Sequence, residues 1–438
     1  MNINDFVVAV NHVLWGWPLI IYILAVAGAA TVMLNFIQFT HFFESIKLMF
    51  FPAKKETTGD MTPFQALVNA LNTSIGNGSI AGIATAIYAG GPGAAFWVFV
   101  FGFLSMSLRF AEVFLSTYFP PKFEKTGTVG GPMIYLQKVP GGLILSYAFA
   151  LFLLFLGLTS GSAMQANSIR LGLERILNIA PVVTAFALLA FIAFVIAGGA
   201  KRIVEVSDKI VPVKVGVFFV SSFIILLYHW QSILPACKLI VQGAFFPGAL
   251  VGGAAGYLVQ HAMRYGIVRL VNATEAGLGT AGVLFGGTGS AEPLKDGIMS
   301  LMSAFIANMV CFMVALMIIA SGVWNNGQTS LNLTISAYET VFGVLGGWIV
   351  TFLAITFGMG VMVTYAYIAR SCWLFLTNGR FEYVFKLLFC AVVFLGSLAT
   401  VEVVWSATDL VNGGLLIVNL FGIAYFLPLI RSALKAAQ

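Results

Sequence analysis

The chain has 438 residues, 60% of them apolar and 9% charged, with 22 Lys and Arg against 16 Asp and Glu. Soluble chains run near about 25% charged, and a water-soluble core of this size cannot hide so much apolar surface, so the soluble class is excluded and a polytopic helical membrane protein remains. The net charge of +6 comes without a basic run or a basic-aromatic motif, which excludes nucleic acid as a partner, and Cys237, Cys311, Cys372 and Cys390 lack the spacing of a zinc site or a disulfide framework.

The opening MNINDFVVAVNHVLWGWP has neither a basic leader nor a small-residue cleavage site and predicts no cleaved signal peptide. Apolar runs bounded by charges or Gly/Pro clusters predict spans near residues 17–38, 64–88, 94–118, 143–165, 182–196 and 211–228. The next run, near 250–285, is too long for one crossing and is interrupted by RLVNATEAGLGT, which predicts a broken or partly re-entrant helix. Spans near 298–324, 344–375, 384–400 and 410–428 follow, which makes about eleven in all. With the N-terminus outside, seventeen Lys and Arg, Arg109 and Lys214 among them, fall on the inner side. Arg170, Arg175 and Lys238 fall on the outer side, while Arg264 and Arg269 lie inside the interrupted span. This sorting follows the positive-inside rule and predicts a cytoplasmic C-terminus.

A transmembrane helix satisfies its own backbone, so mid-span glycines and small polar residues cost stability unless packing or a site uses the freed groups. SIGNGS is such a place: unwinding over Ser74, Gly76, Asn77, Gly78 and Ser79 releases carbonyls for a cation and N–H groups for a carboxylate. A small-residue packing face is the alternative, in a chain with 46 glycines. The second interruption carries Asn272, Thr274 and Glu275 beside Gly277 and Gly279, five spans later and in the opposite direction. Two interrupted spans at equivalent places in oppositely oriented halves point to an inverted-repeat transporter with its site near the midplane.

Gln165 and Asn167, at the end of the 143–165 span, can hydrogen-bond a zwitterion or cap the outer interface. Arg264, Arg269 and Glu275 are intramembrane ionisable groups, which contact substrate or pair with one another or with helix-end carbonyls. Arg109 and Glu112, three apart on one helix, read as a structural ion pair, and His261 as a packing histidine. No HExxH, GxSxG or paired intramembrane aspartates occur, so an intramembrane enzyme is disfavoured, whereas a non-transporting receptor shares these features.

The order and spacing of FQALVNALNTSIGNGSIAGIATAIYAGGPGAAFW, GGPMIYLQK, QANS, KRIVEVSDKIVP and TEAGLGTA resemble the alanine or glycine:cation symporter family over nearly the whole chain. The resemblance implies an all-α polytopic fold of the LeuT type, a five-plus-five inverted repeat preceded by one extra helix. The extra helix and its loop would occupy residues 1–60, the first repeat 61–230 and the second 231–438. It implies symport of a small neutral amino acid such as alanine or glycine by alternating access in a bacterial-type cytoplasmic membrane. The coupling cation would be sodium, with no cofactor and no enzymatic activity.

Carried over position by position, it places the substrate carboxylate on N–H groups over Gly76, Asn77, Gly78 and Ser79, with Gln165, Asn272 and Tyr365 lining the pocket. Sodium would lie near Ser74, Asn77 and the 344–375 span, where Thr364 is the available hydroxyl if the register shifts, with Thr356 as the other choice. The departures are specific. The family's GTGN or GxGN reads GNGS, and RGLFSNEAGLGS reads RLVNATEAGLGT, so Asn272 replaces Phe and Thr274 replaces Asn while Glu275 matches. The family's FSTxLGW reads MGVMVTY in the 344–375 span, which puts Gly360 and Val361 at the Ser-Thr pair and Tyr365 at the tryptophan. Two hydroxyls of a sodium site are thereby lost, and the alternative reading is a sodium-independent or proton-coupled transporter of a more polar amino acid.

Overall fold

The computed structural model describes residues 9–11, 13–51, 58–124, 127–245 and 255–437. Lys54, Lys55, Lys125 and the start of the interrupted span near Leu250 lie outside them. Helix α1 (Trp17–Met33) leads to an amphipathic helix α2 (Phe42–Phe50). Helix α3 (Pro63–Ser74) starts sharply because the Thr62 hydroxyl accepts from the Gln65 N–H, the Gln65 side chain reaches back to the Thr62 N–H, and Pro63 takes the first helical position. After Ile75 (φ −111°, ψ 74°) the chain re-enters helix through a π-turn over Gly78–Gly82 and continues as α4 (Ile83–Gly90).

Helix α5 (Gly93–Tyr118) is followed by a hairpin of β1 (Lys122–Glu124) and antiparallel β2 (Gly127–Val129). Then come α6 (Gly142–Leu158), a π-turn over Thr159–Ala163, and α7 (Met164–Leu177), which run on as one long element. Helices α8 (Pro181–Ala197), α9 (Gly199–Tyr228) and α10 (Trp230–Phe245) follow. The second interruption separates α11 (Ala255–Thr274) from α12 (Thr280–Gly286). The chain ends with α13 (Pro293–Ala320), α14 (Ser330–Phe342), α15 (Val344–Thr377), α16 (Glu382–Leu398) and α17 (Val401–Ala436).

Six of the described helical stretches are long and apolar enough to cross a membrane, and three shorter apolar helices accompany them. Both interruptions expected from the sequence are present as backbone breaks. The structure differs in three places. The 143–165 run continues to Leu177, because QANSIRLGLER is polar in composition yet helical, with Gln165 and Asn167 buried against the core. The helix of the 211–228 run begins at Gly199 and carries Pro212 inside it. Helices α10 and α14 were not expected, since neither contains an uninterrupted apolar run of spanning length.

Helix α5 packs on α13, α11 and α10, α15 packs on α6, α7, α9 and α14, and both long helices also contact the broken pair. Close approach rests on small residues, as expected where lipid offers no hydrophobic gain for helix association. A Cβ on Gly93 of α5 would lie 2.2 Å from the Gly243 carbonyl oxygen of α10, which is backbone and cannot step aside. A Cβ on Gly102 would instead meet the Asn308 side chain of α13, which can turn away. Gly93→Ala is therefore expected to cost about 1–3 kcal/mol by overpacking. In detergent melts it should lower the Tm clearly more than Gly102→Ala. Equal, small shifts would show that α5 and α10 are not in backbone contact.

Candidate functional site

The first break frees backbone groups of both signs. On its N–H side, the Asn77 N–H donates to Gln165 Oε1 at 3.1 Å. Gln165 Nε2 in turn donates to the Ser160 carbonyl at 3.0 Å, an acceptor exposed by the π-turn between α6 and α7. Gly76 lies in the same corner, and a Cβ there would be 2.6 Å from Val361 Cγ2 of α15 and 3.5 Å from Gln165 Oε1. Only a glycine admits the side chains of α7 and α15 this close to the break. Gly78 faces the backbone oxygen of Asn272, 3.2 Å from a would-be Cβ, so the start of the second half-helix rests on the end of α11. Ser79 Oγ donates to the Ser74 carbonyl at 3.1 Å across the break. Gly76, Asn77, Gly78, Ser79 and Gln165 are thus brought together.

The second break turns on Glu275 (φ +56°), Gly277 (φ +87°) and Gly279 (φ +86°), left-handed conformations that the two glycines adopt without a Cβ clash. Two side chains from one turn of α5 brace it. Glu112 accepts from the Gly277 N–H at 3.1 Å through Oε2 and from the Gly282 N–H at 3.0 Å through Oε1, a carboxylate at the positive end of a half-helix. Arg109 Nη2 donates to the Thr274 carbonyl, the C-terminal end of α11, and to Ser74 Oγ at 3.4 Å. The two charges lie 3.5 Å apart and both are fully buried. The pair expected from the i,i+3 spacing therefore links both broken helices.

Tyr365 is buried on α15, its ring seated over Gly161, where a Cβ would fall 2.3 Å from the ring, and its hydroxyl donates to Glu275 Oε1 at 2.5 Å. Asn272 keeps its backbone oxygen at Gly78 while its side chain is engaged by α17. Its Nδ2 donates to Asp409 Oδ1 at 2.8 Å and its Oδ1 accepts from Asn412, both on α17. Arg269 completes this cluster, bonded to Asp409 at 2.9 Å and stacked 4.6 Å over the Trp405 ring. It pairs with Asp409, not with Glu275. Asn167 donates to the Ala399 carbonyl at 2.7 Å at the end of α16, a helix-end contact.

Each of the three residues expected around sodium has a different hydrogen-bond partner. Ser74 Oγ donates to the Thr274 carbonyl at 3.1 Å, Asn77 Nδ2 donates to the Ala354 carbonyl at 3.2 Å, and Thr364 Oγ1 donates to Asn69 Oδ1 at 3.1 Å. The carbonyls freed at the end of α3 are already engaged by a cation of the chain itself. Lys214 Nζ donates to the Asn72 carbonyl at 3.0 Å, to Asn72 Oδ1 at 2.6 Å and to the Ile75 carbonyl at 2.8 Å. Lys214 and Arg109, counted above with inner-side charges, are both buried among the helices. Hydropathy averaging hides such single residues, and a lysine inside the apolar run VPVKVGVFF was the signal available for the first of them. Asp409 and Asn412 had the corresponding signal in TDLVNGG.

The model of the sodium:alanine symporter family matches residues 1–437. A protein named sodium/alanine symporter AgcS, from Methanococcus maripaludis, is 31% identical over 100% of this chain and 97% of its own length. Among solved structures, a Na+-coupled sialic acid symporter in a substrate-bound outward-open state superposes with a TM-score of 0.56 at 15% identity, covering 93% of this chain and 87% of that one. A manganese transporter from Eremococcus coleocola gives 0.56 at 11% identity, covering 84% and 78%. Two such different cargoes on one LeuT-like architecture show that the fold is shared and that the cargo is set by the site. The chain belongs to the sodium:alanine symporter family, whose members are membrane transporters and not enzymes.

Proposed function

We propose that this protein is a secondary active transporter that moves a small neutral amino acid, such as alanine or glycine, by alternating access. The proposed frame is a five-plus-five inverted repeat over 61–230 and 231–438, preceded by an extra helix, with about eleven spans. The N-terminus lies outside and the C-terminus in the cytoplasm of a bacterial-type cytoplasmic membrane. One observation carries the reading: at the first break, an oxygen of Gln165 accepts from the freed Asn77 N–H. An amino-acid carboxylate has the same acceptor chemistry with a full charge, and it would replace or share that contact at the N-terminal end of a half-helix. The relative named sodium/alanine symporter supports a small neutral substrate. Asn272 and Tyr365 act from the far side, Asn272 through its backbone at Gly78 and Tyr365 through Glu275.

Sodium is the coupling cation that family membership suggests, with Ser74, Asn77 and Thr364 as its candidate side-chain ligands. A second reading, transport without sodium, is favoured by Lys214, whose ammonium already engages the α3 carbonyls.

Uptake of a panel of labelled amino acids into proteoliposomes, under imposed sodium or proton gradients, tests the transporter reading. Accumulation or exchange of a small neutral amino acid is expected, and none under any gradient would overturn it. Gln165→Ala should raise the apparent KM about tenfold or more, the loss of one hydrogen bond to a charged group, while the protein stays folded. An unchanged apparent affinity would remove Gln165 from the pocket.

A further inference from the structure

Lys214 is fully buried in α9, and the three hydrogens of its ammonium meet three oxygens at 2.6–3.0 Å. Two of these are backbone carbonyls three residues apart at the C-terminal end of α3, the negative end of a helix dipole. The third is an amide oxygen, and the Phe357 ring of α15 lies 5.4 Å from Nζ. Among the described residues no carboxylate lies within ion-pair distance of Nζ. An all-oxygen, neutral cluster at an unwound helix end is how proteins bind a hard monovalent cation, and here a tethered ammonium holds it.

Two further residues match this arrangement. The Asn72 carboxamide gives its oxygen to Lys214 and turns its Nδ2 to α15, within hydrogen-bond distance of the Gly360 carbonyl (2.9 Å) and Thr364 Oγ1 (3.1 Å), and to Ser207 Oγ of α9 (3.0 Å). A Cβ at position 360 would lie 2.1 Å from Asn72 Oδ1, so the glycine there is what admits the carboxamide. A hydroxyl-bearing residue at 360 and Asn72 in this pose exclude one another. The missing hydroxyls of α15, the amide at 72 and the lysine at 214 therefore form one construction: α15 is joined to the broken end of α3 through Asn72 and Lys214, not through an ion.

We propose that the Lys214 ammonium is a resident cation at the junction of the first break, α9 and α15, and that transport proceeds without a sodium ion bound there. This rests on the transporter reading above and deepens it by naming what fills its cation position.

The test uses the full-length purified protein. In proteoliposomes, uptake should be the same within about twofold when sodium on both sides is replaced by choline, and the Tm in detergent should be equal in the two salts at matched ionic strength. Lys214→Ala vacates the oxygens. Its uptake should fall about tenfold or more in choline and recover when sodium or methylammonium is supplied, and either cation should raise its Tm. Lys214→Met, which fills the space without the charge, should lose uptake and not be rescued. If Lys214→Ala fails to fold, the wild-type salt comparison and Lys214→Met still decide. A sodium-dependent wild-type uptake or Tm, or lysine variants that transport like wild type in choline, would overturn the proposal. The Tm measurements need no substrate, so a failure to transport any amino acid would count against the transporter reading while the salt response still judges Lys214.

Discussion

A helix interrupted inside a bilayer leaves N–H and C=O groups that no water can meet, and each one left bare costs on the order of 2–7 kcal/mol. This chain has two such interruptions, and one turn of α5 serves both. Arg109 takes the last carbonyl of α11 and the Ser74 hydroxyl, while Glu112 takes the Gly277 and Gly282 N–H groups. The signs are right at each place: a cation at a helix C-terminal end, a carboxylate at an N-terminal one. Because the two charges are fully buried and 3.5 Å apart, losing either would strand the other, at a cost of about 3–5 kcal/mol. The brace is consistent with breaks that persist as defined geometry.

What remains at the first break is divided by sign. Its carbonyl end is met by the Lys214 ammonium, and its N–H end by the Gln165 side-chain oxygen. Both partners come from elements far away in sequence, and in the function proposed above the first stands where a cation, and the second where a carboxylate, would bind. The side chains differ in how they are held. Lys214 is saturated by three oxygens, whereas Asn77 Oδ1 beside the Gln165 contact is buried with no partner among the described residues. An unsatisfied acceptor next to a replaceable one is where a zwitterion gains most from entering, because it supplies both an ammonium donor and a carboxylate acceptor.

The positions of the breaks were legible in the sequence because glycine and small polar residues inside an apolar run have few other reasons to be there, and SIGNGS and TEAGLGT stood out on that ground. Gln165 was legible as a polar residue at the end of the 143–165 span, and the family resemblance, not its position, gave it a pocket role over an interfacial cap. The side-chain partners were less so. Asn272 reads as a pocket residue from its place beside the break, but its carboxamide is drawn to Asp409 and Asn412, 137 and 140 residues later, by a pairing that no local pattern encodes. Lys214 is the last of the charges of α9, at the start of its apolar run, and loop counting placed it with the inner-side charges. The absent hydroxyls at 360 and 361 were visible as an anomaly of the 344–375 span, now α15. Their physical counterpart, the Asn72 carboxamide against Gly360, became visible only when α3 and α15 were brought into contact. Helices α10 and α14 were missed because they are too short and too mixed in polarity to read as spans.

The central claim is that the first break, with its N–H groups and Gln165, receives the carboxylate of an amino acid. A structure of the protein with alanine or glycine bound tests it most directly. The account predicts the ligand carboxylate within hydrogen-bond distance of N–H groups over residues 76–79, Gln165 turned onto the ligand, and Arg109 and Glu112 still bracing both breaks. A ligand bound elsewhere, with the Asn77 N–H still on Gln165, would contradict it.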